Sequence, residues 1–310
     1  MSKIPIVTLP DASLLADISI PSGVEARIWD WETPPASLGD DLNRVQMVIQ
    51  PMMGWPASVE RLAEFPSLRV VQTMSAGVNA IQSLIPAGVL LHRLANVHHV
   101  GTSEVAMALL LASLRRIDKA VLDGKQRIWD PYDAEALADQ RVLIIGTGNI
   151  GEALRQRIAA FDAPVTRLAR TGREDEHGRV HGLEELHALL PHHDVVIIII
   201  PLNASTAKLV NDDFFRHMKV GALFMNVARG GIVDTDALVA HLKAGRIRAA
   251  LDVVDPEPLP ADHPIWDCPN LIMTPHVGGM VPTARAGALR VLERQIAAFA
   301  AGEPLSYLVS

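Results

Sequence analysis

The stretch RVLIIGTGNIGEALRQRIAAF, residues 141–161, reads as a strand, a glycine turn and a helix. RVLIIG (141–146) has the length and apolar composition of a buried strand. Gly146, Gly148 and Gly151 then follow in G-x-G-x-x-G spacing, and the polar and apolar residues after them repeat at helical intervals. Glycines at these positions permit a tight turn, a close approach of the backbone to a pyrophosphate, and close packing of helix on strand. Backbone N–H groups near Asn149 and Ile150 and the helix dipole favour an anion there. The stretch therefore predicts the first strand–turn–helix of a dinucleotide-binding domain.

Outward from this point the pattern repeats. Downstream, strands are predicted at 164–169, 194–201, 222–228, 247–254 and 270–275, and helices at 149–161, 183–190, 212–218, 234–244 and 283–301. Upstream, short β-branched runs at 4–9, 26–31, 46–50, 69–74 and 89–95 form a second series, with a helical pattern at 57–65. Alternating strands and helices imply parallel sheets covered on both faces. The fold class is thus α/β with two domains: a Rossmann-type dinucleotide-binding domain at 100–284, and a smaller flavodoxin-like substrate domain at 1–99 joined by 285–310. Between them TSEVAMALLLASLRRIDKAVL (102–122) predicts one long helix, apolar on nearly every side through Leu114. Such a helix lies between two buried surfaces, within the chain or in a subunit contact.

Composition narrows the function. The 310 residues are 49% hydrophobic and 20% charged, enough to bury two cores. A formal charge of −7 argues against nucleic acid or an anionic membrane as partner. The single cysteine, Cys268, fits a reducing cytoplasm, and no signal peptide is expected from MSKIPIVTLPDASLL. The most apolar run, VVIIII (195–200), is far too short to span a bilayer. The paired histidines His98–His99 and His192–His193 lack metal-ligand spacing and read as hinge and surface residues, so no metal is expected.

About twenty residues past the glycine turn lies RLARTGR (167–173). A ribose-binding acid is expected at the end of this second strand, where Ala169 stands instead. Arg170, Thr171 and Arg173 follow, and guanidinium forks suit a phosphate. NADP(H) is therefore expected over NAD(H), which remains possible. Arg167, inside the predicted strand, is left out of the phosphate site.

Three further stretches carry polar groups at predicted strand ends: NVARGGIVD (226–234), LDVVDPEPLP (251–260) and TPHVGG (274–279). Arg229, Glu257 and His276 stand 28 and 19 residues apart. An arginine fork suits a substrate carboxylate and carbonyl oxygen. A histidine titrates near working pH and can pass a proton. A glutamate beside it orients the ring and raises its pKa.

With GTGNIG, these motifs closely resemble the D-isomer-specific 2-hydroxyacid dehydrogenase family, over nearly the whole chain. The resemblance implies the same three catalytic roles. It also implies that the backbone of Ala76 and Gly77, within SAGVN (75–79), binds the substrate carboxylate. Asp252 would meet the nicotinamide carboxamide, Val227, Ala228 and Gly278 would line the nicotinamide site, and Pro201 would bound the adenine side. The expected reaction is NADPH-linked reduction of a small 2-keto acid such as glyoxylate or hydroxypyruvate, in a homodimer with helix 102–118 at the contact. An NAD-linked dehydrogenase of the same family and a non-catalytic dinucleotide-sensing protein fit the same motifs less fully.

The sequence departs from the family pattern at Gly279, Met280 and Val281, where hydroxyl side chains are usual. Met52, Met53 and Trp55 either line the substrate site or fill the small domain's core. No additional regulatory domain is expected.

Overall fold

The structure, a computed structural model, describes residues 4–51, 58–78 and 81–309. Met52, Met53 and Trp55 lie outside the described residues. The chain divides into two compact units, Met1–Val97 with Pro282–Ser310, and His98–Val281.

In the first unit β1 (Ile6–Leu9), α1 (Ala12–Ala16), β2 (Glu25–Ile28), β3 (Val45–Ile49), β4 (Val70–Gln72) and β5 (Leu90–His92) build a sheet of order β2-β1-β3-β4-β5. Every pairing is parallel. This is the flavodoxin order. Side chains of alternate direction feed two cores. Val7, Leu9, Met47 and Ile49 share one with the last helix of the chain, and Ile6, Val45, Val48 and Val71 share the other with Trp29, Trp31 and Phe65. The helical pattern at 57–65 appears as a 3-10 turn, Val59–Glu64.

The second unit opens with α2 (His99–Arg115) and α3 (Ile117–Lys125). The single helix expected over 102–122 is thus broken. Arg116 adopts the left-handed conformation (φ 51°, ψ 44°), and its N–H donates to the carbonyls of Ala112 and Ser113, closing α2 as a C-cap. Then come β6 (Val142–Ile145), α4 (Asn149–Ala159), β7 (Val165–Leu168), β8 (Arg173–Asp175), β9 (Gly178–His181), α5 (Leu186–Leu189), β10 (Val195–Ile198), α6 (Asp212–His217), β11 (Leu223–Asn226), α7 (Thr235–Lys243), β12 (Arg248–Leu251) and β13 (Leu271–Met273). Finally α8 (Pro282–Ala301) returns to the first unit, where Ala288, Val291, Leu292 and Ile296 pack into its core.

The eight strands run in the order β13-β12-β11-β10-β6-β7-β9-β8. All pairings are parallel except β8 with β9. The core of this order, β9-β7-β6-β10-β11-β12, is the 3-2-1-4-5-6 arrangement of a Rossmann domain. Helices cover both faces. Val195 and Ile197 point into a core with Leu110, Leu154 and Ile158, whereas Val196 and Ile198 point into one with Phe214, Phe215 and Leu242.

The β8–β9 hairpin falls where the sequence predicts neither strand nor helix. Its sequence is charged and carries no strand alternation, and Gly178 turns it at φ +92°. An ion pair anchors it: Arg167 Nη1 and Nη2 both donate to the Asp175 carboxylate at 2.8 Å, and Nη2 also to the Gly178 carbonyl. The Arg167 bonds and the His177 amide hold the Asp175 carboxyl down to about 2. His193 also departs from the surface position expected for it. It is buried, with Nδ1 at 2.7 Å from the Leu189 carbonyl and Nε2 at 2.8 Å from Thr166 Oγ1.

Phe224 is fully buried on β11 and meets Phe215 and Phe214 edge-on, with ring centroids 5.2 and 6.2 Å away. Phe224→Ala should cost about 3–5 kcal/mol, read as a lowered urea midpoint; an unchanged midpoint would contradict this packing.

Candidate active site

Apart from Arg173, the second unit's candidate residues follow the carboxyl ends of parallel strands. The glycine turn follows β6, Ala169 and Arg170 follow β7, Pro201 follows β10, Arg229 follows β11, Asp252 follows β12 and His276 follows β13. β6 lies between β10 and β7, where the strand order reverses. Open α/β sheets bind ligands at this crossing.

The three glycines of the turn do different work. A Cβ at Gly146, whose φ is +123°, would lie 2.2 Å from the Ile199 carbonyl oxygen. One at Gly151 would lie 2.1 Å from the Gly146 oxygen. Both are required by packing. Gly148 caps α4, and nothing stands within 4 Å of its Cβ position. A ligand phosphate can therefore approach the backbone there.

At the end of β7 no carboxylate follows. Ala169 is half-buried, and Arg170 and Thr171 are exposed. Among the described residues Arg170 makes no ion pair. Arg173 lies on β8 rather than in a loop, and its Nη2 donates to Thr147 Oγ1 at 2.9 Å, which draws it against the glycine turn. Arg167 turns away, into its pair with Asp175. These residues fit a dinucleotide bearing an additional phosphate.

Glu257 and His276 meet directly, with Oε2 2.8 Å from Nδ1. The other carboxylate oxygen accepts from the Val254 amide at 2.9 Å. Thr235 Oγ1 donates to the Asp255 carbonyl, tying this loop to the start of α7. Burial pushes Glu257 up, but the His276 and Val254 hydrogen bonds and nearby positive charge outweigh it and hold the carboxyl below its usual value. The hydrogen bond to Glu257 raises the His276 imidazole, against burial and the charge of Arg229. A paired, charged carboxylate beside a readily protonated imidazole is an arrangement able to pass a proton.

Arg229 lies within electrostatic reach of both partners. Burial lowers its pKa, with Glu257 opposing, although an arginine keeps its charge. Its Nη1 donates to the Ala228 carbonyl at 2.6 Å. Among the described residues it makes no ion pair, so a half-buried cation stands ready for an anion. Gly230 is forced by this turn, since a Cβ there would lie 1.7 Å from the Val254 oxygen.

Two supports were missing from the sequence reading. Asn226 is fully buried, donates to the Arg229 carbonyl at 2.9 Å and accepts from the Ala228 amide at 3.0 Å. It sets the Arg229 turn. Asp252, read from the sequence as a nicotinamide contact, also holds the His276 loop. Its Oδ1 accepts from Thr274 Oγ1 at 2.6 Å and the Val277 amide at 2.9 Å, and its Oδ2 from the Gly278 amide at 3.0 Å. Gly278 admits no side chain, as its Cβ would lie 2.9 Å from Asp252 Oδ2. Val227 and Ala228 are buried in cores on opposite faces of the sheet. Pro201 is exposed, and its carbonyl accepts from Thr206 Oγ1.

In the first unit Ala76 and Gly77 follow β4. Ser75 Oγ donates to the Gly77 carbonyl at 2.9 Å and shapes the segment. Among the described residues neither the Ala76 nor the Gly77 N–H donates to another group of the chain. Elsewhere His187, Asp213 and His217 bring ligand atoms within 4.8 Å of one another. The two imidazoles stack, 4.4 Å apart and 6° from parallel, so no single ion lies in both ring planes.

A family model for the D-isomer specific 2-hydroxyacid dehydrogenase NAD binding domain matches residues 107–278. The glyoxylate reductase of Thermofilum pendens is 33% identical over 256 residues, covering 79% of this chain and 76% of that protein. The human glyoxylate reductase/hydroxypyruvate reductase is 32% identical over 254 residues, covering 77% and 76%. Among solved structures, an NADPH-dependent glyoxylate/hydroxypyruvate reductase from Sinorhizobium meliloti, in complex with NADP and sulfate, superposes with a TM-score of 0.83 at 26% identity, covering 99% of this chain and 98% of that one. A D-isomer specific 2-hydroxyacid dehydrogenase from Xanthobacter autotrophicus, in complex with NADPH and MES, gives 0.80 at 28% identity, with coverage of 99% and 98%. Sequence, fold and site geometry agree: the chain belongs to the D-isomer-specific 2-hydroxyacid dehydrogenase family, whose members are NAD(P)-dependent oxidoreductases.

Proposed function

We propose that the protein reduces a small 2-keto acid of the glyoxylate or hydroxypyruvate type to the D-2-hydroxy acid, with NADPH preferred and NADH a poorer substitute. One observation carries the reading. An arginine that makes no ion pair among the described residues stands within electrostatic reach of an imidazole of raised pKa, at the ends of strands in the sheet that also carries the glycine turn. Names of relatives that act on glyoxylate support the substrate class.

In this reading Arg229 engages the carboxylate and the keto oxygen of the substrate through its two N–H edges. The backbone N–H groups of Ala76 and Gly77 add donors to the carboxylate. Bound NADPH supplies a hydride to the keto carbon. Negative charge develops on the keto oxygen, and Arg229 stabilises it. His276 Nδ1 is held by Glu257, which leaves Nε2 to deliver the proton to that oxygen. In oxidation the neutral ring takes the proton back.

Arg170, Thr171 and Arg173 would hold the 2′-phosphate, Gly146, Gly148, Asn149, Ile150 and Gly151 the pyrophosphate, and Pro201 would bound the adenine side. Val227, Ala228, Asp252 and Gly278 serve the nicotinamide end. The absence of a carboxylate after β7, together with Arg170 and the tethered Arg173, supports the NADPH preference. The working form is a cytoplasmic homodimer. Ile117, Val121 and Leu122 of α3, and Ile128 beyond it, are exposed apolar side chains next to α2, which supports a subunit contact there. Among the described residues no helix is long and apolar enough to cross a membrane.

Initial rates across a panel of 2-keto acids, with NADPH and NADH in parallel, test the reading directly. His276→Ala should lower kcat by about 10²–10⁴-fold while NADPH still binds; near-normal turnover would remove His276 from proton transfer. Glu257→Gln removes the interaction that raises His276. The basic limb of the pH profile for reduction should then move to lower pH, because reduction needs the protonated ring, and the acidic limb for oxidation should move the same way. A profile that stays in place would show that Glu257 does not tune the ring. Ala169→Asp combined with Arg170→Ala should shift the kcat/KM ratio toward NADH; an unchanged ratio would place the phosphate elsewhere.

A further inference from the structure

The mechanism above leaves His98 without a role. It precedes α2, where its carbonyl accepts from the Thr102 amide at 3.0 Å. The ring is half-buried and lies against the loop that carries His276. A Cβ at Gly279 would stand 3.1 Å from His98 Nδ1 and 3.6 Å from Cε1. The helix and the loop are locked together around it. A Cβ at Gly101 would lie 2.5 Å from the Gly278 oxygen, and one at Gly278 would lie 3.3 Å from the Thr102 Cα. Backbone packing therefore places the ring, with no help from hydrogen bonds of its own.

His98 Nδ1 is buried, and among the described residues no group hydrogen-bonds either ring nitrogen. His193 shows the contrast, since both of its nitrogens find partners. Burial, and then the charges of Arg229 and His276, lower the pKa of His98, so the ring is neutral at neutral pH. The loop beside it, Gly279–Met280–Val281, brings no hydroxyl and no charged side chain. The imidazole thus stands within electrostatic reach of both Arg229 and His276.

Arg229 and His276 are committed to C1 and C2 of the substrate. What remains variable in a small 2-keto acid is the group on C3. We infer that His98 is a specificity-determining residue: its imidazole hydrogen-bonds a hydroxyl on C3 and so selects 3-hydroxy-2-keto acids over glyoxylate and pyruvate. A neutral ring has one donor and one acceptor, and a hydroxyl can answer either. An anionic substituent would instead call for a charged ring. The inference rests on the 2-keto acid reductase reading and adds to it which member of the class the site prefers.

The test is steady-state kinetics of the full-length enzyme, His98→Ala and His98→Asn at saturating NADPH, with hydroxypyruvate, pyruvate and glyoxylate. In His98→Ala, kcat/KM for hydroxypyruvate should fall about tenfold, chiefly through KM, with the other two substrates held within about threefold, the scale of one neutral hydrogen bond. His98→Asn, which keeps a donor and an acceptor, should restore part of the loss. Thermal melts and NADPH titrations establish that each variant folds. Equal losses on all three substrates, or none on any, overturn the role of His98 while the reductase reading stands. NADPH binding by the unaltered enzyme without turnover of any of the three overturns that reading, and this inference with it.

Discussion

The buried carboxylate of Asp252 organises the catalytic end of the sheet. A charged group taken out of water must be met by donors, and here three come from one short segment: the Thr274 hydroxyl and the Val277 and Gly278 amides. The chain between them has to wrap around one side chain. His276 accordingly sits at φ +55°, a left-handed conformation that side chains other than glycine rarely adopt, with its own N–H given to the Asp252 carbonyl. Such a conformation persists where the surroundings over-determine it. The direction of the imidazole is therefore set from behind, by Asp252, and its charge from the side, by Glu257.

Arg229 is arranged on the same plan. Asn226 ends β11 fully buried and spends its amide on the two residues that frame the arginine turn. Gly230 lets that turn press against Val254, whose amide in turn holds Glu257. Three strand ends are thereby cross-linked through backbone groups. The cation and the acid–base pair keep their separation by geometry that no single exposed side chain controls, as preorganised electrostatic sites require.

Much of this was legible in the sequence. Apolar runs such as VLII and VVII announce parallel strands, and a parallel sheet necessarily gathers the residues after each strand at one edge. Motifs far apart in the chain, at 146, 229, 257 and 276, could for that reason be read as one site. What escaped notice depends on partners distant in sequence or on the absence of a marker. Arg116 breaks a helix with neither proline nor glycine to signal it. The β8–β9 hairpin lacks apolar alternation and is held by Arg167 reaching Asp175. His193 looked like a surface residue because Thr166 and Leu189, which satisfy it, are near only in space. Asp252 was read only as a nicotinamide contact and Asn226 was given no role, because their bonds to the following turns exist only once those turns have formed.

The hairpin has a consequence for how this enzyme can change. Arg173 reaches Thr147 of the glycine turn from β8, and β8 is fixed by the pair between Arg167, nearly inaccessible to solvent, and Asp175. Removing one member of such a pair strands a charge in the protein. Loss of Arg167 or Asp175 would therefore weaken the hairpin itself, whatever cofactor is in use. In the proposed reading, nucleotide choice rests on Ala169, Arg170 and Thr171, positions that can be replaced without rebuilding the hairpin.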